Sequence, residues 1–198
     1  MQIKKMTEFT LTDDERKKLL WVARETVKES ASGKKRPKRS KKAKDLVFTE
    51  GNLNVKAGAF VSLHKKGRLR GCIGRFDADQ PLFETVMDMA YSASMNDPRF
   101  PEVRADEVDD IDIEISVLSP LRKIKDISEI EVGRHGLYII KGYQRGTLLP
   151  QVAVEQGWDT DTFLAQTARK AGLSEDAWKD KDTEIYIYDA IVFGEKQE

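Results

Sequence analysis

The chain has 198 residues, with 34 basic and 34 acidic side chains, two histidines and one cysteine. One cysteine excludes an internal disulfide framework, and the length suits one domain, or one domain with a small lobe, that buries an apolar core without staples. The densest apolar run, Leu137 to Ile140, ends at Lys141, far short of the roughly 18 apolar residues of a spanning helix.

The opening Met1-Gln2-Ile3-Lys4-Lys5 has no apolar stretch of the kind a secretory signal needs, so a cytoplasmic protein with no membrane contact is expected. Thr12-Asp13-Asp14-Glu15 has capping-box spacing, and Leu19, Leu20, Ala23 and Val27 follow at helical intervals. A helix from about Asp13 to Ser30 is predicted. Gly33 to Lys44 then holds eight basic residues and no acid, which leaves the rest of the chain at −8. With Pro37 in its middle and no apolar periodicity, the segment 33–45 is expected to be a flexible basic loop.

Gly58 to His64 and Leu69 to Phe76 are rich in β-branched and aromatic residues and flank Lys65-Lys66-Gly67-Arg68, a hairpin pattern. A helix from Pro81 to about Met95 follows, with Leu82, Val86, Met89 and Ala93 on one stripe. Asp97-Pro98-Arg99-Phe100-Pro101 is irregular, because two prolines remove donors and disfavour helix before them. Ile111 to Val117 alternates with period two, and its Asp112 and Glu114 read as the wet face of a strand.

Gly136 to Lys141 reads as a buried strand, Thr147 to Pro150 as the lead into a short helix around 151–156, and Asp159 or Thr160 as the cap of a helix ending near Ala171. Glu184 to Phe193 is the last predicted strand. Strands and helices come in mixed order without a repeating strand-helix-strand unit or Gly-x-Gly-x-x-Gly. The expected class is therefore α+β, a mainly antiparallel sheet with flanking helices.

Arg68-Leu69-Arg70-Gly71-Cys72-Ile73-Gly74-Arg75 is the segment richest in chemistry. Glycines inside a strand mark a bulge or a close approach to the backbone, and nearby guanidinium groups favour thiolate over thiol. Cys72 is thus a candidate nucleophile, with Arg70, Gly71 and Gly74 as candidate ligand-binding residues; alternatively, Cys72 is a small core residue and the glycines serve strand curvature. With Lys66-Gly67 as the turn, Leu63 faces Arg70 and Val61 faces Cys72. That register puts Arg70 and Cys72 on one face and Phe60, His64, Leu69 and Ile73 on the other, which excludes His64 as base.

His135, between Arg134 and Gly136, is a candidate acid or base, or a loop histidine bonded to backbone. Asp97 and Arg99 either line a pocket or serve as helix cap and ion pair. Cys72, His64 and His135 without Cys-x-x-Cys or His-x-x-x-His argue against a structural zinc, which needs about four N or S ligands, and no P-loop or Gly-x-Ser-x-Gly motif occurs. No cofactor can be named.

Leu69-Arg70-Gly71-Cys72-Ile73-Gly74 resembles the hallmark hexapeptide of the AMMECR-one family. The similarity continues in family order through Asp97-Pro98-Arg99-Phe100, Gly133 to Leu137 with His135, Leu148 to Ala153 and Lys170 to Leu173, so that it is strongest over 58–193. The resemblance implies one cytoplasmic α+β domain over 1–198 with two unequal lobes around an antiparallel sheet, and a biochemical activity that is not established. It also implies a shared pathway with Memo-like and radical SAM proteins, beside which many prokaryotic members are encoded. Arg75 stands where the family tends to have a small hydroxyl residue, and Ala168 where many members carry a second cysteine, which speaks against a two-cysteine mechanism.

The reading that follows is an enzyme, or the partner of one, with a ligand pocket around Arg70 and Cys72, and Cys72 and His135 as catalytic candidates. Two alternatives stand beside it: a non-catalytic module that docks a partner protein, and a nucleic-acid binder using the basic loop.

Overall fold

The computed structural model describes residues 10–33, 51–76 and 78–196. They fall into two compact units, Met1–Leu118 with Ile191–Glu198, and Ser119–Ala190. The basic run from Lys34 to Lys44 lies outside the described residues.

In the first unit, α1 (Asp13–Ala31) starts as its sequence demands. Thr12 Oγ1 accepts the Glu15 amide at 3.2 Å, and the Glu15 carboxylate accepts the Thr12 amide at 2.9 Å, satisfying donors that a helix start leaves open. The hairpin is β1 (Gly58–Lys65) and β2 (Arg68–Arg75). Lys66 and Gly67 both have positive φ, 53° and 74°, the type I′ turn whose twist matches the strands it joins. α2 (Leu82–Met95) follows, with Pro81 one position before the helix rather than inside it.

β3 (Ile111–Leu118) pairs antiparallel with the other side of β1, so β1 is central and β2 lies at the edge. Ala59, Val61 and Leu63 of β1 line up with Val117, Ile115 and Ile113 of β3. All are buried with Leu19, Ala23 and Val27 of α1 and Val86, Ala90 and Ala93 of α2. Each large aliphatic side chain in this layer contributes about 1.5–3 kcal/mol through burial. The chain end closes the unit: the Glu195 amide donates to the Ile113 carbonyl at 3.1 Å, and the Glu195 carboxylate pairs with Arg24.

The register of the hairpin corrects the expected grouping of its side chains. Lys65 faces Arg68 and His64 faces Leu69, as the turn requires, but Leu63 faces Gly71 and Ser62 faces Cys72. Arg70 is therefore the extra residue of a β-bulge. One inserted residue moves every following side chain to the other face. Cys72 joins Phe60, Ser62 and His64 on the face away from α1 and α2, while Ile73 packs against the core. His64 lies on the face of the thiol, not opposite it.

The second unit contains β4 (Arg122–Lys123), β5 (His135–Lys141), β6 (Gln144–Leu148), α3 (Pro150–Glu155), α4 (Thr160–Lys170) and the Glu184–Ala190 part of β7 (Glu184–Gly194). β4 and β5 flank β7, β6 pairs with β5, and all pairs are antiparallel. Leu137, Ile139 and Ile187 meet Phe163, Leu164 and Ala168 in a separate core. Asp159 caps α4 by accepting the Thr162 amide at 2.8 Å. The protein is α+β with antiparallel strands, and among the described residues no helix is long and apolar enough to cross a membrane.

Candidate functional site

The bulge in β2 sets the geometry of the glycine-flanked cysteine. An edge strand offers unpaired amides and carbonyls along its open side. Here two side chains from the loop after α2 take the place of a neighbouring strand. Asp97 Oδ2 accepts the Cys72 amide at 2.8 Å, and Arg99 Nη2 donates to the Cys72 carbonyl at 3.0 Å.

Arg99 and Asp97 are also joined to each other, Nε to Oδ1 at 2.9 Å and Nη2 to Oδ2 at 2.7 Å. This parallel fork is the strong form of an arginine-carboxylate pair. The Asp97 side chain is 2% exposed, while that of Arg99 is 47% exposed. Arg99, followed by the Cys72 amide, holds the Asp97 carboxyl down at about 2, against the cost of burial. Asp97 does not cap α2, whose C-cap is Asn96. Prolines on either side of Arg99 and Phe100 stiffen the loop that carries the pair.

Arg70, expected to bind a ligand, is consumed by the protein itself. Its Nη2 and Nε donate to Glu107 at 2.6 and 3.3 Å, Nη1 donates to the Pro101 carbonyl at 2.8 Å, and Nη2 reaches the Glu102 carbonyl at 3.2 Å. Arg70, helped by Lys65, pulls the Glu107 carboxyl down to about 2. Leaving the strand at a bulge, Arg70 ties β2 to the segment that follows the Asp97 loop.

The two glycines are explained by contact. A Cβ on Gly71 would lie 2.2 Å from the Ala93 carbonyl oxygen of α2, and one on Gly74 would lie 2.1 Å from Cγ of the Phe60 ring. Gly71 lets the end of α2 settle on β2, and Gly74 lets Phe60 lie across the strand, edge-on to Phe76. Both roles are the close backbone approach that glycines inside a strand signal.

Cys72 Sγ remains. The residue is partly exposed, and Ser62 Oγ donates to the sulfur at 3.2 Å across the strand pair. The charge of the sulfur, when ionised, and that of Arg99 attract each other. Arg99 Nη1 donates to nothing among the described residues, since the Arg99 bonds run from Nε, Nη2 and the amide. Thiol and guanidinium edge are thus the polar groups of this assembly that packing leaves over. Core burial of Cys72, the alternative left open by sequence, is corrected: the bulge turns it outward.

His135 belongs to the second unit and Cys72 to the first. His135 is 5% exposed; its Nδ1 accepts the Glu131 amide at 3.0 Å, and Nε2 lies 3.9 Å from Asp189 Oδ1. Burial pushes its pKa down, partly offset by Asp189. This is the loop-bonded histidine of the two readings, held neutral with Nδ1 as acceptor.

Sequence reasoning missed Ser62 and Glu107. Ser62 would have been found by allowing for the bulge that Gly71 signals; Glu107 carries no local signal, because its partner is 37 residues away. A cavity of about 230 Å³ also opens on the outer face, lined by His64, Asp112, Glu114 and Lys196 among others. Among the described residues no group of three or more His, Cys, Asp or Glu side chains is placed to hold a metal ion.

Comparison with known proteins adds a family and a set of archaeal relatives. The AMMECR1 family model matches residues 20–193. The chain is 41% identical over 191 residues to a protein of Methanothermobacter thermautotrophicus, covering 93% of this chain and 96% of that one. It is 42% identical over 194 residues to a protein of Methanosarcina barkeri, covering 94% and 93%. The crystal structure of the uncharacterised protein PH0010 from Pyrococcus horikoshii superposes with a TM-score of 0.84 at 38% identity, covering 95% of both chains.

Proposed function

The chain belongs to the AMMECR1 family, and on that premise we propose that it is an enzyme, or the working partner of one, whose ligand face is the outer side of β2. Cys72 is its nucleophile or thiol acceptor. Arg99, rather than Arg70, receives the anionic or carbonyl-bearing group of the ligand. Memo-like and radical SAM proteins, to which the family resemblance points, are the partners we propose for it.

One observation carries this reading. Of the polar groups gathered around the motif, Arg70 and Glu107 are spent on each other and on backbone, and Asp97 on Arg99 and the Cys72 amide, whereas Cys72 Sγ keeps only the Ser62 donor and Arg99, whose Nη2 reaches the Cys72 carbonyl, keeps Nη1 without a partner among the described residues. A rigidly placed thiol next to a guanidinium is the arrangement in which thiolate chemistry on an anionic substrate is favoured. His135 lies in the other unit, where its Nδ1 accepts the Glu131 amide.

The test compares iodoacetate with iodoacetamide as alkylating agents of the folded protein. With Arg99 recruiting the anion, the carboxylate reagent gains on the neutral one, and Arg99→Ala lowers the ratio of their rates several-fold. An unchanged ratio in Arg99→Ala would remove Arg99 from the ligand site.

A further inference from the structure

The hydroxyl opposite the thiol has a role of its own. Ser62 sits in the central strand β1, directly across from Cys72 and next to Glu114 on β3. It is 5% exposed, and among the described residues its side chain has a single partner, Cys72 Sγ at 3.2 Å. A buried hydroxyl without a good acceptor is destabilising, and a protonated thiol is a weak acceptor. A thiolate is a strong one, because hydrogen bonds to an ionised partner are roughly twice as strong as neutral ones. An apolar residue would fill this place in the sheet at no such cost.

We propose that Ser62 is the positioning residue of the Cys72 thiol: its O–H fixes the sulfur on the outer face and stabilises the thiolate when the proton leaves. The inference rests on the reading of Cys72 as the reacting group and deepens it, by naming what sets that group's reactivity. The pair is geometrically firm. The Cys72 amide and carbonyl are both turned to Asp97 and Arg99, so Ser62 and Cys72 do not exchange backbone hydrogen bonds. In antiparallel sheets such pairs bring their side chains closest, with Cα atoms about 4.5 Å apart.

The other charged or titratable groups about the thiol come from every neighbouring element. They are Arg99 and Asp97 from the loop after α2, His64 on β1, Glu114 and Asp112 on β3, and the bulged Arg70 on β2 itself. Asp97 is neutralised by Arg99, and Arg70 by Glu107. Asp112 is paired with Lys196. Ser62 is the group that touches the sulfur through a donor without bringing a charge.

The test is the rate of alkylation of Cys72 by iodoacetamide across about pH 6 to 9, the range in which thiols ionise, in the wild-type chain and in Ser62→Ala, Ser62→Thr and Ser62→Val. Thr and Val have the same shape and both suit a strand, so their difference isolates the hydroxyl even if Ser62→Ala loosens the fold. Expected is a several-fold slower alkylation near neutral pH in Ser62→Ala and Ser62→Val, and the wild-type rate restored in Ser62→Thr. The ultraviolet absorbance of the thiolate should move with it. Profiles of Thr and Val variants that coincide with each other and with wild type overturn the role of Ser62 and leave Cys72 as it stands. A wild-type Cys72 that does not alkylate at all overturns both.

Discussion

Asp97 gives the sharpest quantitative expectation. Replacing it by Asn keeps the shape and one acceptor for the Cys72 amide, but removes the charge that Arg99 grips at two points. Its carboxyl falls from an ordinary 3.8 to about 2, and at about 1.4 kcal/mol per unit this is on the order of 2 kcal/mol of stability. Arg99 is 47% exposed, and solvent screening lowers the expected loss to about 1–2 kcal/mol. The carboxyl is depressed in the folded state. Its contribution is therefore complete above the unfolded value and is lost as pH falls through the folded one. Guanidinium unfolding of wild type and Asp97→Asn should differ by a constant 1–2 kcal/mol or so from about pH 7 to 5 and converge between about pH 4 and 2. A difference below about 0.5 kcal/mol at neutral pH, or one that persists unchanged at pH 2, would refute the clamp on the β2 edge.

Gly71→Ala places a Cβ 2.2 Å from a helix carbonyl, so α2 must move by more than 1 Å or so; a loss of about 3 kcal/mol is expected in the same unfolding assay, and a loss below about 0.5 would mean the helix end yields freely. Arg70→Ala strips Glu107 and the carbonyls of Pro101 and Glu102 of a shared donor, which should cost about 2 kcal/mol and open residues 98–107 to limited proteolysis, whereas an unchanged cleavage pattern would argue against the brace. His135, whose pKa is lowered by burial, contributes stability that is present above about pH 6.5 and falls away as the pH drops below it. His135→Gln should flatten that part of the stability profile, and a wild-type profile already flat between pH 7 and 5 would contradict the assignment of a neutral histidine.

Most of the fold is written in local signals. The capping box at Thr12, the period-two alternation of Ile111 to Val117 and the Asp159 cap each act within a few residues, and each produced the expected element. β6 was less legible, since Gln144-Arg145-Gly146-Thr147-Leu148 has no clean alternation and becomes a strand by pairing with β5. The candidate site was readable in its residue types but not in its arrangement. The turn falls at Lys66-Gly67 as the sequence suggests, yet one bulged residue, Arg70, moves Cys72 to the face of His64. The division of labour between two arginines depends on tertiary partners: Glu107 claims Arg70, and Asp97 holds Arg99, whose Nη2 reaches the Cys72 carbonyl.

In the folded chain the Cys72 thiol lies on the outer face of β2, with Arg99 bonded to the carbonyl of the same residue. Iodoacetamide treatment under native conditions, followed by peptide mass mapping, tests it directly. Stoichiometric labelling of Cys72 at about pH 8, without denaturant and with the unfolding transition intact, is the predicted result. Labelling that begins only when guanidinium unfolds the chain would contradict it and return Cys72 to a packing role.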